Sequence, residues 1–155
     1  MITYVKEDIA FKTVGHCKKG PVEALSVGIQ QKAGKWWTVN NIYIPRGEID
    51  LSFIPMKNST IHAGDFNAHS SLWDDHQPDD SRGDYIVDWM LDNNLACMND
   101  GSPTRANRAT AGLSTPAVTF VSDDISTKVK WTAVDETDMG SDHLPIVIEI
   151  SNEDF

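Results

Sequence analysis

Apolar and polar residues alternate along several short stretches of the chain, and a period of two predicts strands. The opening run ITYVKEDIAFKTV, residues 2–14, mixes β-branched and aromatic residues and reads as a strand. EALSVGIQQ (23–31) and WWTVNNIYIP (36–45) read as two more, joined by the short glycine-bearing turn KAGK. NSTIHAGDF ends in a fourth strand at 59–64, and AVTFVS (117–122), STKVKWTAV (126–134) and LPIVIEI (144–150) supply the last three. The period changes clearly once. In DYIVDWMLDNNLACMN, residues Ile86, Val87, Trp89, Met90 and Leu91 recur at helical spacing, which predicts a helix starting near Asp84 and closing at Asn93-Asn94. Strands outnumber helices too strongly for a doubly wound sheet, so the predicted class is an α+β sandwich.

Two strand ends carry chemistry. IHAGDFNAHSSLW, residues 61–73, places Asp65, Asn67 and His69 on alternate residues directly after an apolar run and a glycine. SDHLPIVIEI, residues 141–150, places Asp142 and His143 side by side just before another apolar run. Phosphodiester hydrolysis needs a divalent ion on the phosphate oxygens, a group to activate water, and a group to stabilise the leaving oxygen. Carboxylate and amide oxygens suit Mg²⁺, and a histidine beside an acid suits proton transfer or charge stabilisation. Taken singly, each residue has a plainer role. Asp65 fits a turn, Asn67 a loop cap, Ser141 and Asp142 a cap or bend, and His143 a structural histidine. The joint occurrence of G-D-F-N after one strand and S-D-H before the last is the more specific signal.

Composition narrows the picture without deciding it. The 155 residues suit one domain spanning 1–155, and no apolar run reaches membrane-spanning length. MITYVKEDIA lacks the basic start and apolar core of a secretory signal. Cys17 and Cys97 match no metal spacing and read as reduced packing residues. The formal charge of −10 opposes nucleic-acid binding, whose affinity comes mainly from Lys and Arg on phosphates. Many acids fall in WDDHQPDDSRGD (73–84) and VDETDMGSD (134–142), as solvated loops or as recruiters of divalent cations beside a phosphate. Arg105 and Arg108 of PTRANRATAG are the best candidates for tracking a DNA backbone, while Lys128 and Lys130 read as ordinary surface charge. A calcium loop built on DDHQPDDSRGD fails the EF-hand spacing.

GDFNAH followed far downstream by SDHLPI resembles the endonuclease/exonuclease/phosphatase superfamily. GDFNAHSSLW, SRGDYIVDWMLDNNLACMNDGSPT and STPAVTFVS together are most similar to the endonuclease domain of non-LTR (LINE-type) retrotransposons, over about Val22 to Ile150. The resemblance implies the DNase-type fold, a four-layer α/β sandwich of two β-sheets flanked by helices. It implies a DNA endonuclease, dependent on Mg²⁺ or Mn²⁺, that nicks target DNA for a reverse-transcriptase segment of the same polyprotein. The expected location is intracellular, and nuclear for a working enzyme, with no membrane association. Residue by residue, Asp65 would orient the attacking water and touch metal, Asn67 would hold the phosphate, Asp142 would ligate metal, and His143 would contact the scissile phosphate. Tyr43 of IYIP sits where relatives keep a Tyr or His near the phosphate, or else is a packing residue of its strand. Ser141 would orient its loop, and His69 and Trp73 would shape theirs.

Two departures from the family pattern bear on activity. The family domain opens with a strand ending in Asn, a helix, and a strand ending in Q-E-T whose Glu is the principal metal ligand. No such segment occurs here, so the chain corresponds to the C-terminal two thirds of the domain, a partial sandwich lacking the N-terminal strands. Such a sandwich is expected to show an exposed apolar face or a rearranged edge, with some of Trp36, Trp37 and Trp131 exposed. Relatives also carry an Asp in S-T-P-D-V-T that fixes the catalytic histidine, and here the position is Ala117. Loss of an orienting carboxylate can cost several orders of magnitude in rate. The alternatives are therefore a non-catalytic remnant of a decayed retroelement, or a phosphatase or phosphodiesterase of the same superfamily.

Overall fold

The computed structural model describes residues 1–151 apart from 33, 108, 111 and 136–139. Its elements in chain order are strands β1 (Phe11–Lys19), β2 (Val22–Gln30), β3 (Trp36–Tyr43) and β4 (Thr60–Asp65), helix α1 (Ser81–Asp92), strands β5 (Leu95–Cys97), β6 (Arg105–Asn107), β7 (Gly112–Ser114) and β8 (Ala117–Ser122), a 3₁₀ helix (Asp123–Lys128), and strands β9 (Val129–Ala133) and β10 (Ile146–Ile150). Six strands form one mixed sheet in the order β1-β2-β3-β4-β8-β5, in which only β3 and β4 run parallel. A parallel pair needs a crossover connection. Residues 44–59 provide it and bury Ile44, Leu51 and Ile54 in the core.

Alternation assigns the two faces of this sheet. Val22, Ala24, Ile42, His62, Val118 and Phe120 point to the side covered by α1, which contributes Ile86, Trp89 and Met90. Trp37, Ile61 and Val121 point to the other side, where Ile125, Val129 and Ile148 of the 3₁₀ helix and the β9-β10 ribbon cover them. The layers therefore run α1, six-stranded sheet, two-stranded sheet, which is a partial DNase-type sandwich. At the far edge β1 stands almost wholly exposed, with Phe11 and Val14 in solvent, and Trp36 on β3 is 39% exposed. Trp37 and Trp131 are buried.

Several boundaries differ from the sequence expectation. Residues 2–10 are not strand. The backbone turns at 7–9, and Asn41 Nδ2 donates to Ile2 O and Thr3 Oγ1, so this segment is laid across β3 instead of paired. β1 begins at Phe11 and runs through GHCKK, with a bulge between Thr13 and Gly15. Helix α1 starts at Ser81, not Asp84, because Asp80 caps it by accepting from Gly83 N at 2.6 Å. Residues 126–128 belong to the 3₁₀ helix, where Ser126 Oγ donates to Asp123 O, and the strand begins at Val129. The β6-β7 hairpin and β5 carry too few residues for a visible period. Cys97 packs against the core, while Cys17 is exposed on β1 rather than packed.

The core also anchors the loop that follows β4. Phe66, Ala68 and Trp73 are fully buried, and Phe120 packs edge-on against Phe66, Trp73 and Trp89 at centroid distances of 5.5, 5.9 and 5.8 Å. Inward Phe66 and Ala68 force the alternate residues Asn67 and His69 outward. Burial of this kind, about 1.5–3 kcal/mol per large side chain, holds a polar loop in one conformation.

Candidate active site

Gly64 sets the approach. A Cβ there would lie 1.8 Å from Ile42 O, so only glycine lets β4 run this close to β3 immediately before Asp65. The register then lines up Tyr43, Asp65 and Ala117 as cross-strand neighbours on one face at one end of the sheet. Asp65 Oδ1 is buried without a hydrogen-bond partner. An orphaned carboxylate oxygen is costly unless something polar or cationic completes it. Tyr43 is 43% exposed beside it.

The next residues form a braced loop. Asn67 takes a left-handed backbone (φ 46°) that asparagine tolerates, and its Nδ2 donates to Ile44 O at 3.0 Å. His69 Nδ1 lies 2.9 Å from Asp74 Oδ2, and Asp74, itself buried, also accepts from Thr115 N and His76 N. Trp73 Nε1 donates to Ala68 O. His69 and Trp73 thus have loop-shaping contacts.

The second loop reaches the same place through β6 and β8. Ala117 N donates to Thr104 Oγ1, and Thr104 O accepts from Leu144 N. Ala106 N donates to Asp142 O, and Arg105 and His143 form an antiparallel bridge. The GDFN and SDH loops therefore flank one short stretch, Thr104-Arg105 with Pro116-Ala117. Ser141 Oγ accepts from His143 N at 3.1 Å, which fixes the bend. Asp142 is held by Arg105, whose Nε donates to its Oδ2 at 2.6 Å, and this bond keeps the Asp142 carboxyl below its usual range. Opposite Asp65 the Ala117 side chain offers nothing to orient His143. Arg108 lies outside the described residues.

Beside the GDFN loop opens a cleft of about 370 Å³ lined by Asn67, His69, Asp80, Arg46, Arg82 and Arg105. Two of these arginines are invisible to motif reading. Arg82 donates from Nε to Asn67 O (2.9 Å) and from one terminal nitrogen to Pro45 O (2.9 Å) and Phe66 O (3.5 Å), and its other terminal nitrogen bonds Gly47 O. One guanidinium from α1 thereby ties the β3 exit to the GDFN loop. Gly83 next to it is packed so that a Cβ would meet His69 O at 1.9 Å. An arginine in the first turn of a helix reads in sequence as a solvent charge, so nothing local signals this clamp.

The donor set suits a hard cation poorly as a cage and well as a partial site. Among the described residues no three acids, histidines or cysteines converge on one point. Mg²⁺ commonly keeps its waters and takes one or two carboxylates plus substrate phosphate oxygens. Asp65, with its unpartnered oxygen, fits that role, and Asp142 fits once Arg105 releases it.

The chain is thus a mixed two-sheet sandwich with carboxylate, amide and imidazole groups on the loops at its strand ends and arginines near them. Comparison gives the family. The profile of the endonuclease-reverse transcriptase family matches residues 38–147, and the chain belongs to that family. Among solved structures it is similar to the endonuclease domain of TRAS1, a telomere-specific non-LTR retrotransposon, with a TM-score of 0.73 and 24% identity over 92% of this chain and 67% of that one. Comparison with curated proteins finds no match.

Proposed function

We propose that the chain is the endonuclease domain of a retrotransposon polyprotein, which nicks DNA to prime reverse transcription. The observation that carries this reading is that the GDFN and SDH loops both bond to the stretch Thr104-Arg105 with Pro116-Ala117, with Asp65 Oδ1 buried and unsatisfied and an arginine-lined cleft beside Asn67. Asn67 would hold the phosphate, Asp65 would orient the attacking water, and His143 would steady charge on the leaving oxygen, with Tyr43 beside them. Asp65 and Asp142 are the residues that would hold Mg²⁺ or Mn²⁺, which when bound supplies Lewis-acid charge on the phosphate oxygens. The reading carries a nuclear site of action and a reverse-transcriptase segment in the same polyprotein.

Ala117 favours a second reading, a folded but non-catalytic remnant, because His143 has no carboxylate to fix its tautomer from that position. Supercoiled-plasmid nicking in Mg²⁺ separates the two. The endonuclease reading expects nicked circles from the wild type and a loss of at least about 10²-fold in Asp65→Ala and Asp142→Ala. Absence of nicking, or nicking that survives both substitutions, selects the remnant.

A further inference from the structure

The chain contains four arginines and nine lysines, and among the described residues three arginines and no lysine line the cleft. In a protein of formal charge −10 that is a sharp local reversal. Arginine and lysine are not equivalent here, since the planar guanidinium matches a phosphate with two parallel bonds and is held more readily in a partly desolvated site.

The three arginines have different partners. The Arg82 guanidinium is spent on the carbonyls of Pro45, Gly47, Phe66 and Asn67, so it acts as a fixed charge and frame. Arg105 is engaged with Asp142. Arg46 is exposed, and it sits between the two carbonyls, of Pro45 and Gly47, that Arg82 clamps. Its backbone is therefore fixed by the same side chain that fixes Asn67. The acid that lines the cleft is occupied as well, since Asp80 Oδ1 accepts from Gly83 N and His69 N.

We infer that the Arg46 side of this cleft is a second phosphate subsite, separate from the Asp65-Asn67 position, so that the substrate must present at least two successive phosphodiesters. The inference rests on the endonuclease reading and adds to it the residue that grips a phosphate next to the scissile one. Arg46 is the ligand-gripping residue, and Arg82 is the positioning residue that sets its distance from Asn67.

The test is equilibrium binding of a fluorescent duplex oligonucleotide in Ca²⁺, without turnover, at 50–200 mM salt, for wild type, Arg46→Ala, Arg46→Lys and the control Lys130→Ala. Lys130 is paired with Glu149 on the β9-β10 ribbon and lies away from the cleft. Removing one phosphate contact lowers the salt slope by about 0.9, so the affinity gap between wild type and Arg46→Ala should narrow about 3.5-fold across that range. Arg46→Lys should keep the slope and lose part of the affinity, Lys130→Ala should match wild type, and competition by inorganic phosphate should be weak. Equal slopes for wild type and Arg46→Ala overturn the second subsite while leaving the endonuclease reading in place. A wild type that does not bind the duplex at any of these salt concentrations overturns the endonuclease reading itself.

Discussion

His62 is fully buried on β4, its ring edge-on to Trp89 at 5.5 Å, and burial pushes its pKa down to about 4. Ser26 Oγ donates to Asn40 Oδ1 at 2.5 Å, which leaves Asn40 Nδ2 to donate to His62 Nδ1 at 3.0 Å. The histidine must then be neutral, with its proton on Nε2, an atom that has no hydrogen-bond partner. In the unfolded chain the ring titrates near 6.5, so between that value and about 4 the unfolded state binds the extra proton. Stability contributed by the neutral ring is therefore present above pH 6.5 and is lost as pH falls towards 4. Linkage gives a loss of about 1 kcal/mol at pH 5.5 and about 2–3 kcal/mol at pH 4.5 relative to neutral pH. His62→Gln keeps an acceptor for Asn40 and cannot titrate. Urea unfolding followed by tryptophan fluorescence at pH 7.5, 6.5, 5.5 and 4.5 should show the stability difference between the two proteins shifting by those amounts in favour of the variant. Carboxylates held low by their partners, such as Asp50, Asp124 and Asp142, lose stability on the same side of neutrality, but they do so equally in both proteins. Parallel pH profiles for wild type and variant would refute the assignment of His62 as a buried neutral base.

Three further outcomes follow from the packing. Asp80→Ala removes the cap of α1 and the bond to His69 N, and should lower the urea midpoint by the equivalent of about 1–2 kcal/mol while blurring the GDFN loop in amide exchange. Gly83→Ala forces a Cβ against His69 O and should destabilise more than the roughly 1 kcal/mol that the Gly-to-Ala change normally gains in a helix, so the measured sign is the test. Arg82→Lys cannot bridge Pro45, Gly47, Phe66 and Asn67 together, and should reduce duplex affinity by about tenfold with an unshifted far-ultraviolet spectrum, whereas an unchanged affinity would deny its positioning role.

The strands of the central sheet were legible because β2, β3, β4 and β8 each bury one or both faces and so carry a period or an apolar run. Asp65, Asn67, Asp142 and His143 drew notice because they stand in two compact motifs, and the family profile spans both. What was hidden depends on partners distant in the chain. Residues 2–10 have strand composition but are held by Asn41 across the sheet. Arg82 acquires its role from carbonyls up to 37 residues away, and Arg46 acquires its orientation from Arg82. The pairing of Arg105 with Asp142 converts a residue read as a backbone-tracking cation into the counter-ion of a candidate metal ligand. None of these is written in a local spacing.

The account stands on one ion and one phosphate being shared by two loops. Titrating substoichiometric Mn²⁺ into ¹⁵N-labelled protein and recording amide line broadening tests it directly. Simultaneous broadening around Asp65–His69 and Ser141–Leu144, abolished by Asp65→Ala, is the result expected. Broadening confined to one of these loops, or centred on Asp123 and Asp124 at the opposite end of β8, would contradict it.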